Sequence, residues 1–244
     1  TPFLQKPEFL HNQIMSRRSL GITVNKTFWY RRINFKTGIY NSDGETSLSA
    51  VNDKNGKPEF ISRLEIGFPS QYSDYYEIDK TQTPIPLFFL GLNARYAETT
   101  NAGADKYHLY TVNGKKFTYG GDLNILYKGF AVLFEEDIIK VTPNNQLPLH
   151  AFDTTTFYRA GDFVAELSYN AKPIHSLFVV RYDEINPSDL IANNTNRSTE
   201  FAYVYSIPKT YVDLKFLYDH PLPNKVTKAV WKQDFMRIGL QLFF

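Results

Sequence analysis

The feature that most constrains this chain is an alternation of apolar and polar residues with a period of two. In Asp234 to Phe244, Met236, Ile238, Leu240, Leu242 and Phe244 fall on one side, and Phe235, Arg237, Gly239 and Gln241 on the other. A period of two sends successive side chains to opposite faces of an extended strand, whereas a helix would repeat every 3.6 residues.

The same alternation recurs along the chain. Phe117, Tyr119, Leu123, Ile125 and Tyr127 oppose Thr118, Gly120, Asp122, Asn124 and Lys128. Phe163, Ala165, Leu167 and Tyr169 oppose Asp162, Glu166 and Ser168. Phe178, Val180 and Tyr182 oppose Arg181 and Asp183, and Phe201, Tyr203, Tyr205 and Ile207 oppose Glu200 and Ser206. Val212, Leu214, Phe216 and Tyr218 oppose Asp213, Lys215 and Asp219. In the N-terminal half, Leu20, Ile22 and Val24 start the series. Ile33, Phe35 and Ile39 follow, then Phe60, Leu64, Ile66 and Phe68, then Phe88, Leu90, Leu92 and Tyr96, and Phe130, Val132 and Phe134. The pattern predicts about eleven strands of roughly 9–13 residues, the length a tilted strand needs to cross a bilayer. Strands of soluble sandwiches are shorter, near 5–6 residues.

The apolar rows carry almost no charge, which suits contact with hydrocarbon, and a closed antiparallel barrel is the sheet that leaves no backbone group unpaired there. The expected fold is therefore an all-β, antiparallel transmembrane β-barrel, with residues 1–244 as a single barrel domain. Two residues break the pattern. Glu136 falls on the apolar face unless a bulge resets the parity. Arg159 does so near a strand end, where its head can reach the interface.

Composition agrees. Aromatic residues make up 16% of the chain, with 17 Tyr and 20 Phe, an excess that suits strands and membrane interfaces. A net charge of +2 gives no strong pull toward nucleic acid, and the absence of cysteine excludes disulfides and thiolate metal sites. No run approaches the ~18 apolar residues of a membrane-spanning helix.

Links alternate in length. Short ones are read at Phe28–Tyr30, Lys128–Phe130, Asn170–Ile174 and Pro208–Thr210, and long polar ones at Asn41–Glu59, Thr99–Lys115, Thr142–Thr154, Asn186–Arg197 and His220–Gln233. Short periplasmic turns and long outer loops are the rule for outer-membrane barrels. The Ser70–Pro86 link is an exception, long but on the short-turn side by parity. Eleven strands are an odd number, whereas bacterial barrels use even ones. Either Thr1 to Ile14 contributes a further strand or strands preceding Thr1 are missing from the chain, and the second is expected.

At this point the residues resemble a family, the phosphate-selective porins O and P. The likeness is carried by "SLFVVRYDEINPSD" (Ser176 to Asp189), by "FYRAGDFVAELSYNAKPIH", by the closing "DFMRIGLQLFF" and by "TPFLQKPEF…SRRSLGITV". The resemblance covers nearly the whole chain. It implies a sixteen-stranded porin of which this chain holds the last eleven strands, with residues 1–18 as a constriction loop folded into the lumen. It also implies a homotrimer, and the expected surroundings are membrane lipid and lipopolysaccharide, with a larger outer-membrane complex as the alternative assembly. The expected function is passive diffusion of small polar solutes, among them phosphate or other anions, with no enzyme activity and no cofactor. The expected location is the outer membrane of a Gram-negative bacterium.

In such a pore, rings of cationic side chains select anions, and arginine meets phosphate with two parallel hydrogen bonds. The expected lumenal cations are Arg32, Lys36, Arg63, Arg95, Lys128, Arg181, Lys215 and Arg237, with Arg17 and Arg18 at the constriction. The same faces carry Glu65, Asp122, Glu135, Asp162, Glu166, Asp183, Glu200 and Asp213, so the two signs nearly balance. The competing reading makes these charges mutually paired wall residues with no part in transport.

The five histidines are dispersed without the spacing of a zinc site, and no serine has a persuasive histidine partner for a barrel lipase. "TVNGKKFTY" reads as a hairpin turn rather than a phosphate cradle. Two other functions stay open: a non-conducting barrel serving as subunit or scaffold of a larger outer-membrane complex, and a soluble all-β binding protein.

Overall fold

The structure, a computed structural model, describes residues 21–40, 57–71, 77–99, 114–143, 157–186, 188–190, 193, 195–210, 212–222 and 234–242. It contains eleven strands: β1 (Gly21–Phe28), β2 (Ile33–Tyr40), β3 (Glu59–Phe68), β4 (Leu87–Thr99), β5 (Gly114–Tyr127), β6 (Phe130–Pro143), β7 (Tyr158–Ala171), β8 (Ser176–Asn186), β9 (Asn196–Ser206), β10 (Val212–Leu222) and β11 (Phe235–Leu242). All eleven form one antiparallel sheet in chain order. Among the described residues there is no α-helix, only one 3-10 turn at Lys172–Ile174. The strands run from 8 to 14 residues.

The register lines up the apolar residues across the sheet. One row passes from Phe68 through Phe88, Ile125, Val132, Leu167, Val180, Phe201 and Tyr218 to Met236, each directly opposite the next. Because the side-chain period is two, a slip of one residue at any pairing would carry one strand's whole apolar set to the other face.

Burial runs against the order of a soluble protein. Leu167 is 50% exposed and Met236 75%, whereas Asp137 is 1% exposed and Arg181 5%. In a water-soluble globule the large apolar residues are inside and unpaired charges outside. Substantial contacts between strands join sheet neighbours, so among the described residues no second sheet or helix covers the apolar rows. The polar face is buried in the middle strands, while β1 is exposed on both faces and β11 nearly so. That gradient is the signature of a sheet rolled with its polar face inward. β1 and β11 pair on one side only, so the described sheet is an open arc.

The pairing of β6 with β5 and β7 is continuous through residues 135–137. No bulge resets the parity, and Glu136 remains exposed on the outer, apolar face. Arg159 is exposed on that same face near the start of β7.

Candidate functional site

The inner wall is built from alternate residues of neighbouring strands, and its charges are tied together. On β2 and β3, Lys36 Nζ lies 2.8 Å from Glu65 Oε2, and Asn34 donates to the same carboxylate at 2.7 Å. Arg63 Nε pairs with Glu65 at 3.0 Å, and its Nη2 reaches Asp122 on β5 at 2.6 Å. That second bond passes over β4 at Gly91, where a Cβ would stand 2.3 Å from Arg63 Nη2 and 2.4 Å from Asp122 Oδ1. Arg95 pairs with Glu59. On β8, Arg181 holds Glu200 at 2.6 Å, Asp183 at 3.1 Å and Glu166 at 4.0 Å.

The structure thus brings Lys36, Arg63, Arg95, Arg181, Lys215 and Arg237 onto one inward face by strand parity. Two of the expected lumenal cations lie elsewhere. Arg32 belongs to the β1–β2 turn, its guanidinium 5.4 Å from the Trp29 ring centre and 5.6 Å from that of Phe68. Lys128 belongs to the β5–β6 turn, its ammonium 5.0 Å from the Tyr127 ring. Arg32 precedes the first residue of β2 by one position and Lys128 follows the last residue of β5 by one, so the alternation that would carry these side chains inward does not reach them. Arg17, Arg18 and the expected constriction loop at residues 1–18 lie outside the described residues.

Three more carboxylates join the wall. Glu59 ends one strand, Asp219 faces the charge of Arg237, and Asp137 stands directly opposite Asp162. Gly120 makes room for Asp137, since a Cβ there would lie 2.1 Å from its Oδ1. Among the described residues, inward carboxylates therefore outnumber inward cations. No three of His, Asp and Glu converge there in a metal-binding group.

The inner face is not polar throughout. At the short-turn end, Leu87, Phe89, Leu126 and Ala131 form a buried apolar cluster, and Val179, Ala202 and Leu217 form another. The run Leu87–Leu92 hides this from an alternation count, because both of its faces are apolar.

The sequence reading of the long Ser70–Pro86 link gave no hint of its structure. Asp79 is 1% exposed, and its Oδ2 accepts the Gly129 backbone N–H at 2.7 Å and the Thr83 N–H at 2.9 Å. The Thr83 hydroxyl donates to the same oxygen at 3.0 Å. Asn170 donates to the backbone oxygens of Asp79 and Lys80 at 3.2 and 3.3 Å, and Gln82 donates to the Asn170 backbone oxygen at 3.1 Å. Lys128 N–H bonds to Thr83 O at 2.9 Å. One link is therefore stitched to the β5–β6 turn and the end of β7. Burial pushes the Asp79 carboxyl upward, but the bonds from Gly129 and Thr83 outweigh it and hold the group below the ordinary aspartate range.

On the outer face, charge collects toward the long-link end. Arg197 Nε meets Glu184 at 3.0 Å, His220 Nδ1 meets Asp234 at 2.8 Å, and the Lys140 ammonium lies 4.2 Å from the Phe157 ring.

Comparison with protein-family models, with curated proteins and with solved structures finds no match.

Proposed function

We propose that this chain forms part of an outer-membrane β-barrel that encloses a water-filled pore for small polar solutes. The observation that carries the reading is the inverted burial. An unbroken apolar row from Phe68 to Met236 is exposed or half-exposed, while ion-paired carboxylates and guanidinium groups are turned inward. Hydrocarbon accepts the first surface and water in a lumen accepts the second. The charged belt at Glu184, Arg197, His220 and Asp234 supports the same placement, at headgroup level on the side of the long links.

Closure requires partners for β1 and β11. Strands outside the described residues, those of a larger porin among them, are the proposed source. The resemblance to phosphate-selective porins adds anions as a solute class, but the carboxylate-rich wall argues for weak anion preference at most. Single-channel recording from the full-length protein in planar bilayers tests the pore, and the reversal potential in a salt gradient tests the sign of the preferred ion. A lack of conductance overturns the pore. Release into detergent-free buffer overturns the barrel itself. A second reading, a non-conducting barrel within a larger assembly, is favoured by the link folded against the inner face. Stable co-purifying subunits without conductance would support it.

A further inference from the structure

We propose that residues 77–86 form a fixed constriction at the short-turn mouth of the pore, latched by Asp79 to Gly129 and by Gln82 to Asn170. The inference rests on the pore reading above. A periplasmic link of this length could hang outside the barrel, but this one does not. Ile78 and Asp79 are buried, and the link binds groups 50 and about 90 positions away along the chain: Gly129 through Asp79, and Asn170 through Gln82, Asp79 and Lys80.

Two observations place it across the opening rather than beside it. Ile78 and Lys80 line a cavity of about 330 Å3 whose far wall is formed by inward residues of β8 to β11, among them Val204, Lys215 and Gln241. On the other side, Asp79 is bonded to Gly129 in the β5–β6 turn, and Gln82 to Asn170 near the end of β7. A segment held at β5 to β7 by some residues and facing β8 to β11 with others spans the concave side of the sheet. It also narrows the path at the level of Leu177, Val204, Lys215 and Gln241, the inward residues that line the same cavity, so solutes there meet the polar groups of the link.

The latch is stiff for a physical reason. Asp79 accepts two backbone N–H bonds and two hydroxyl bonds, from Thr83 and Thr81, in a buried site, and breaking them would leave a buried charge unpaired.

Two variants of the full-length protein test the proposal in planar bilayers. Asp79→Ala frees the link, and the expected single-channel conductance rises roughly two-fold as the aperture widens. Because the chain has no cysteine, Lys80→Cys offers a single labelling site that leaves the latch intact. A bulky thiol reagent at that position is expected to cut conductance by roughly half, whereas the same reagent at Thr210→Cys, in the β9–β10 turn, changes nothing. If the wild type conducts and neither variant departs from it, the link is a strut outside the ion path; the inference is overturned and the pore stands. If neither the wild type nor Asp79→Ala conducts, the pore reading fails and takes the inference with it. A silent wild type that conducts once Asp79 is replaced supports the constriction in its strongest form.

Discussion

At Gly91 the inner wall depends on the absence of a side chain. The Arg63–Asp122 bond crosses β4 at the point where a Cβ would be 2.3 Å from the guanidinium. Gly91→Ala is therefore expected to destabilise the folded protein by about 1–3 kcal/mol, the usual range for overpacking, measured as a shift in the urea midpoint in lipid vesicles. Arg181 presents the opposite case. It sits among Glu166, Asp183 and Glu200, and Arg181→Ala leaves three inward carboxylates without their cation, at a cost of roughly 3–5 kcal/mol if the site stays dry. Unchanged unfolding would show that water on that face screens the group. Asp79 supplies a pH dependence of known sign. Its folded pKa lies below its unfolded value, so its stabilisation is complete above the unfolded aspartate pKa of about 3.9 and is lost as pH falls through the folded value. The stability gap between wild type and Asp79→Ala should close on acidification below about pH 4. A gap that widens in acid would contradict the latch. None of these three roles is visible in sequence, because each depends on a neighbour 18 or more positions away.

Single strands were the most legible level. β5, β7, β10 and β11 coincide with the alternation, because each has one apolar and one polar face and the pleat does the rest. The contrast fails at β4, where Asn93 and Arg95 alone mark the polar face. Leu87 and Phe89 are buried on the inner side of a strand whose outer side carries Phe88 and Leu90, so a count of apolar residues gives no parity. The β1–β2 turn runs on through Arg32, past the Phe28–Tyr30 link read from the sequence, and Lys128 lies in the β5–β6 turn where the sequence also placed a link, so neither side chain sits on the wall. Trp29, Tyr30 and Arg31 all have positive φ in the β1–β2 turn, as does Lys128 in its own, and no Asn-Gly pair marks either site. The element-scale prediction concerns face. Leu167→Arg, at an exposed outer position of β7, should destabilise the inserted protein by roughly 2–4 kcal/mol. Ser168→Ala next to it, on the inner face, should change unfolding by much less. Equal effects at the two positions would remove the distinction between a lipid face and a lumen face.

At the scale of the whole molecule, inverted burial decides how the protein should behave in bulk. With its rows of Phe, Leu and Tyr uncovered, the chain is expected to stay with the membrane through alkaline extraction and to dissolve only with detergent. Recovery as a monodisperse soluble protein would reverse the assignment of the two faces. The sequence by itself determined the described strands, their alternation and which face of each carries the charge, because these follow from a local two-residue period that needs no partner. Only the tertiary structure decided which cations sit on the wall, which carboxylates they hold, and that residues 77–86 turn inward. Those depend on strand register, on where each turn closes, and on contacts such as Asp79 with Gly129, which join residues that no local period relates.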